Sequence, residues 1–68
     1  MAARYFLIDT SHIPREKVPG RKTFPAGSVA GRFNSLPRAL RELRASITWG
    51  HGAMFMLYDR ETGTEVEP

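Results

Sequence analysis

The chain has 68 residues, of which 28 are apolar; seven of these are alanine, leaving 21 large apolar side chains for one small core. It has no cysteine, which excludes both a disulfide framework and a thiolate metal cage. The net charge is +3 and no run approaches the ~20 apolar residues of a membrane span. Since the N-terminus also lacks a signal-peptide pattern, the expectation is a single cytoplasmic domain over residues 1–68 with no membrane contact.

The segment Arg4-Tyr5-Phe6-Leu7-Ile8-Asp9 predicts a strand, aromatic and β-branched, stopping at the turn-forming Asp9-Thr10-Ser11. Both of its faces are apolar, as in a central strand covered on two sides. Residues 10–31 hold Pro14, Pro19, Pro25, Gly20, Gly27 and Gly31 and are the least regular part. Val18-Pro19-Gly20-Arg21 has the composition of a type II turn. It either closes a hairpin between Arg15–Val18 and Arg21–Phe24 or tips a mobile loop. Val29 to Phe33 suits a short strand leading into the next element.

Ser35 to Ile47 predicts a helix. Asn34 or Ser35 supplies the N-cap, and Pro37 falls in the first turn, where a missing N–H costs nothing. Leu36, Leu40, Leu43 and Ile47 form an apolar stripe, with Arg38, Arg41 and Arg44 off it. Gly50 or Gly52 ends the helix, and Trp49 reads as a lid on the core. Ala53-Met54-Phe55-Met56-Leu57-Tyr58 predicts a second strand, again apolar on both faces. Asp59 to Gly63 is a hairpin turn, and Thr64 to Val66 an edge strand guarded by Glu65 and Glu67. Residues 59–68 thus form an acidic hairpin and tail.

The sum is an α+β domain: a three- to four-stranded, mainly antiparallel sheet with one amphipathic helix packed on one face. One helix covers one face, so one apolar set, Tyr5 and Leu7 with Met54, Met56 and Tyr58, needs another cover. Either residues 10–31 fold over it with Ile13, Val18 or Phe24, or a second copy or partner protein does.

Charge is unevenly spread. Arg15 to Arg44 carries eight bases against Glu16 and Glu42, whereas Asp59 to the end carries four acids against Arg60. Arg38, Arg41 and Arg44 step by three along one helix, and Arg38 sits at the positive end of its dipole with only Glu42, at i+4, to offset it. Stability gives no motive for this row. With Arg21 and Lys22 at the Pro-Gly turn, these are the candidate binding residues for nucleic acid or an acidic partner. The alternative is a solvated face.

Catalytic chemistry finds little support. His12 and His51 lack partners at metal-ligand spacing, so neither metal nor cofactor is expected. Asp9, Ser11 and His12 are close in sequence but read as a turn rather than a triad. The glycine-containing loops around Gly27 and Gly50-His51-Gly52 match no phosphate-loop pattern.

The layout resembles that of small phage-encoded α+β anti-CRISPR proteins. The shared features are a strand right after the initiator Met, an irregular or hairpin segment, one amphipathic helix entered through Ser35-Leu36, and a closing hairpin. The resemblance implies a non-enzymatic inhibitor that binds a host ribonucleoprotein or other nucleic-acid-handling complex in stoichiometric amounts. Many such inhibitors mimic DNA with acidic surfaces; here the main field is positive, which implies contact with acidic or RNA-bearing parts. The alternatives are a free-standing, nonspecific DNA- or RNA-binding accessory protein and a ribosome- or toxin-associated basic module.

Overall fold

A computed structural model describes residues 3–48 and 54–67. The elements in chain order are β1 (Tyr5–Asp9), a single turn of 3-10 helix (Arg15–Lys17), β2 (Val29–Phe33), α1 (Leu36–Thr48), β3 (Phe55–Asp59) and β4 (Thr64–Val66). The strands form one antiparallel sheet in the order β2-β1-β3-β4. β1 is therefore central, as its two apolar faces require. The α+β layout read from the sequence is the one observed.

Register decides which side chains share a face. Leu7 lies opposite Leu57, while Phe6 lies opposite Tyr58 and Ile8 opposite Met56. α1 packs on the face of Tyr5, Leu7 and Leu57 through Ala39 and Leu43, with Phe33, Leu40, Phe55 and Val66 around them. The other face carries Phe6, Ile8, Met56 and Tyr58, and Ile13 and Val18 bury themselves against it with Phe24. This corrects the grouping expected above: Tyr5 and Leu7 belong under the helix and do not share a face with Met56 and Tyr58. Met54 precedes β3 and is exposed.

Of the two covers, residues 10–31 are the one observed. They form no hairpin; a 3-10 turn and a series of bends carry Ile13 and Val18 inward. The Val18–Arg21 turn does form, with Gly20 at φ 79° and the Arg21 N–H on the Val18 carbonyl at 3.1 Å. Between the 3-10 turn and β2 the segment is tied down by separate bonds. Tyr58 donates its hydroxyl to the Arg21 carbonyl at 2.9 Å, Gly20 N–H to the Gly63 carbonyl at 2.9 Å, and the buried Ser28 hydroxyl to the Pro25 carbonyl at 2.6 Å.

Of the expected helix stripe, Leu43 and Leu40 face the core and Leu36 does not, while the Ile47 side chain lies outside what is described. Among the described side chains of α1, Ala39 and Leu43 are buried, Leu40 is half-buried, and Leu36 is exposed at the helix start. The Ser35 carbonyl accepts the first helical bond, from Ala39 at 3.0 Å. Trp49 and the glycines expected to end the helix lie outside the described residues.

Candidate phosphate-binding surface

The cations of this chain fall into two groups, those committed to carboxylates and those without one. Arg4 belongs to the first. Its Nε and Nη2 donate to the Asp59 carboxylate at 3.0 and 2.9 Å, and its Nη1 lies 3.2 Å from Glu61. This two-pronged pairing, with the Glu61 N–H on the same carboxylate, holds the buried Asp59 carboxyl below the usual carboxylate range. The same pairing raises the Arg4 pKa. Arg15 is likewise bonded to Glu65 of β4. The acids of the β4 side are thus largely spent on nearby arginines.

Arg38, Arg41 and Arg44 are in the second group. All three are exposed on α1, and among the described residues none has a carboxylate within 4.0 Å. Glu42, expected as the i+4 partner of Arg38, makes no ion pair among the described residues. The first turn of the helix holds no acid, so Arg38 adds to the positive end of the helix dipole.

Arg21 and Lys22 lie across the sheet from that row, in the segment covering Phe6 and Tyr58. The five candidate residues therefore do not form one patch. The Arg21 Nε is turned back onto the Thr23 carbonyl at 3.1 Å. Lys22 instead meets two arginines that the sequence reading did not single out, Arg32 of β2 and Arg60 of the β3–β4 turn. The three line an open cleft of about 260 Å³, with Phe6 and Phe24 in its walls and no acidic residue among its lining.

The register explains the convergence. Arg32 lies opposite Phe6 and projects on the same face; a bulge in β2 between the partners of Leu7 and Ile8 separates it from the half-buried Val29. Its guanidinium carbon lies 5.4 Å from the Phe6 ring centroid, and that of Arg60 lies 4.7 Å from it. Arg60 is further held by its Nη1 on the Ala3 carbonyl at 3.0 Å. Phe24 meets Phe6 edge-on at 5.5 Å. Each cation–ring contact is worth about 0.5–1 kcal/mol at an exposed site. Repulsion between neighbouring unpaired cations is of the same order, ~1 kcal/mol at 4 Å in water. The cluster is held in place without being neutralised.

Arg32 also joins the two groups of bases. A second cleft, of about 270 Å³, has Arg32, Phe33, Asn34, Ser35 and Arg38 in its walls. Unpaired cations thus run from Lys22 and Arg60 across the β2 edge to Arg38 and on along the helix.

The Asp9–Ser11–His12 cluster is a turn. Asp9 Oδ1 accepts both the Ser11 N–H, at 2.9 Å, and the Ser11 hydroxyl, at 2.6 Å, and these bonds lower the Asp9 pKa. His12 Nε2 is 3.9 Å from the other oxygen of Asp9. Ser11 is thus bonded to the acid rather than to the imidazole, the wrong order for an activated nucleophile. No group of three or more metal-ligating side chains occurs among the described residues, and no helix is long and apolar enough to cross a membrane. Comparison with protein-family models, curated proteins and solved structures finds no match.

Proposed function

We propose that this chain is a small non-enzymatic binding protein whose basic edge holds the phosphate backbone of nucleic acid, in the setting of a host nucleic-acid-handling complex that it inhibits. One observation carries the reading: acids on the β4 side neutralise Arg4 and Arg15, while the cations around β2 and along α1 have no carboxylate within 4.0 Å among the described residues. Arginine suits phosphate because its planar fork donates two parallel hydrogen bonds. The phage-inhibitor setting draws on the layout resemblance alone.

A mobility-shift series with duplex and single-stranded DNA and RNA, across salt concentration, tests the reading. About four phosphate contacts on a duplex would give a log–log salt slope near −3.6. Binding of naked nucleic acid with no salt dependence, or none at low salt, would defeat the backbone reading. Tight salt-dependent binding with no added effect of a protein complex would favour the free-standing accessory protein over the inhibitor.

A further inference from the structure

We infer that the cleft between Lys22, Arg32 and Arg60 is a docking point for one terminal phosphate, the phosphate monoester at the end of a nucleic-acid strand. The inference rests on the phosphate reading of the basic edge and narrows it to one ligand group.

Three features of the cleft support this. Its cations come from three separate parts of the chain, the covering segment, β2 and the β3–β4 turn, and converge with no acid in the lining. Two of them are oriented before any ligand arrives, since Arg32 and Arg60 rest against Phe6 and Arg60 is tethered to the Ala3 carbonyl. The lining otherwise consists of Thr23 and apolar or small residues, so nothing in it competes for the three cations. Pre-ordered donors lose less freedom on binding than mobile ones.

Shape and charge select the kind of phosphate. The helix row is convex and exposed and suits a passing backbone, whereas the cleft is concave and admits a group that protrudes. A backbone diester carries one negative charge, but a terminal monoester carries about −1.5 to −2 at pH 7. Three unneutralised cations favour the more highly charged group. Base stacking is not the mode here: Phe6 is only 8% exposed and lies under the arginines.

The experiment compares one single-stranded oligonucleotide in three forms, with a 5′-phosphate, a 3′-phosphate or hydroxyls at both ends. Affinity is measured by fluorescence anisotropy, and inorganic phosphate is titrated by NMR. The expected result is about tenfold tighter binding of a phosphate-ended form, equivalent to about 1.4 kcal/mol. Inorganic phosphate should shift the signals of residues 22–27 and of the Arg32 and Arg60 side chains. Lys22→Gln and Arg60→Gln should abolish the end preference, while Lys17→Gln, outside the cleft, should keep it. Lys22 is exposed and has no ion pair among the described residues, so its variant tests the site without burdening the structure.

Equal affinity for all three forms overturns the inference, as does a full end preference in a folded Lys22→Gln variant. No binding of the hydroxyl-ended strand while a phosphate-ended strand still binds would remove the backbone reading and leave the cleft. The reverse pattern would remove the cleft alone.

Discussion

The two faces of the sheet are covered by different means. On one, a 13-residue helix lays down Ala39 and Leu43 at regular spacing, and its backbone bonds are satisfied internally. On the other, residues 10–28 deliver Ile13, Val18 and Phe24 with no repeating pattern, and separate bonds to Gly63 and Tyr58 hold the segment down. Both covers bury their anchors fully: Leu43 and Ile13 are each 3% exposed. An irregular segment can thus be as much a part of a small core as a helix, provided it has its own anchors and polar ties.

The strongest test of that equivalence removes one anchor from each cover. Leu43→Ala and Ile13→Ala should each cost about 2–5 kcal/mol, the range for truncating a buried leucine or isoleucine. In a domain this small either loss is a large part of the whole stability. Thermal or denaturant melts decide the matter. If Leu43→Ala unfolds the protein while Ile13→Ala melts like the parent, the covering segment is an ornament on a one-sided fold. Leu40→Ala, at a half-buried position, should cost less than Leu43→Ala.

A smaller effect is expected at the ion pair between Arg4 and Asp59, beside β1. Asp59 ends β3, and its carboxylate accepts from Arg4 and from the Glu61 N–H. Asp59→Asn should cost about 1.5–3 kcal/mol, as for hydrogen bonds to a charged group. The pH dependence follows from the direction of the shift. Asp59 and Asp9 both have folded-state values below their ordinary one. Their contribution is present in full above the unfolded carboxylate value of about 3.9 and is lost as pH falls below it through the folded-state values. Melts from pH 6 downward should fall only in this acid range, and the fall should be shallower in Asp59→Asn.

A finer probe belongs to the irregular cover alone. Tyr58→Phe deletes the hydroxyl bonded to the Arg21 carbonyl and keeps the ring that packs edge-on with Phe24 at 5.6 Å. A cost of about 1 kcal/mol is expected in equilibrium denaturation. Amide exchange should quicken between residues 18 and 24 and stay unchanged in α1. Uniform quickening in both would show the two covers opening as one unit.

The same contrast explains what the sequence disclosed. Both long strands, the helix, the Val18–Arg21 turn and the Asp59–Gly63 turn follow from local pattern, because alternation, helical spacing and turn chemistry act within a few residues. The grouping of faces did not follow, since it depends on Tyr5 pairing with Asp59 rather than with a neighbour, a register that local pattern leaves open. The cleft was hidden for a similar reason. Arg60 reads as an ordinary turn residue and Arg32 as an edge-strand base until strand pairing brings both to Phe6. The arginine row was legible because its members share one helix.

The smallest effect on stability, and a large one on binding, is expected on that row. Arg41 and Arg44 are exposed and have no carboxylate within 4.0 Å among the described residues. Exposed substitutions of this kind usually move stability by less than about 0.5 kcal/mol each. Arg41→Glu with Arg44→Glu should therefore melt like the parent, while nucleic-acid binding in a mobility shift falls steeply because two attractions become two repulsions. The deficit should be widest at low salt, since charges beyond about 8–10 Å are screened at physiological ionic strength. The double variant leaves the cleft of Lys22, Arg32 and Arg60 untouched, so any binding that survives reports on the other side of the sheet. Unchanged binding by the folded variant would make the helix row a solvated surface and leave the β2 edge as the site of contact.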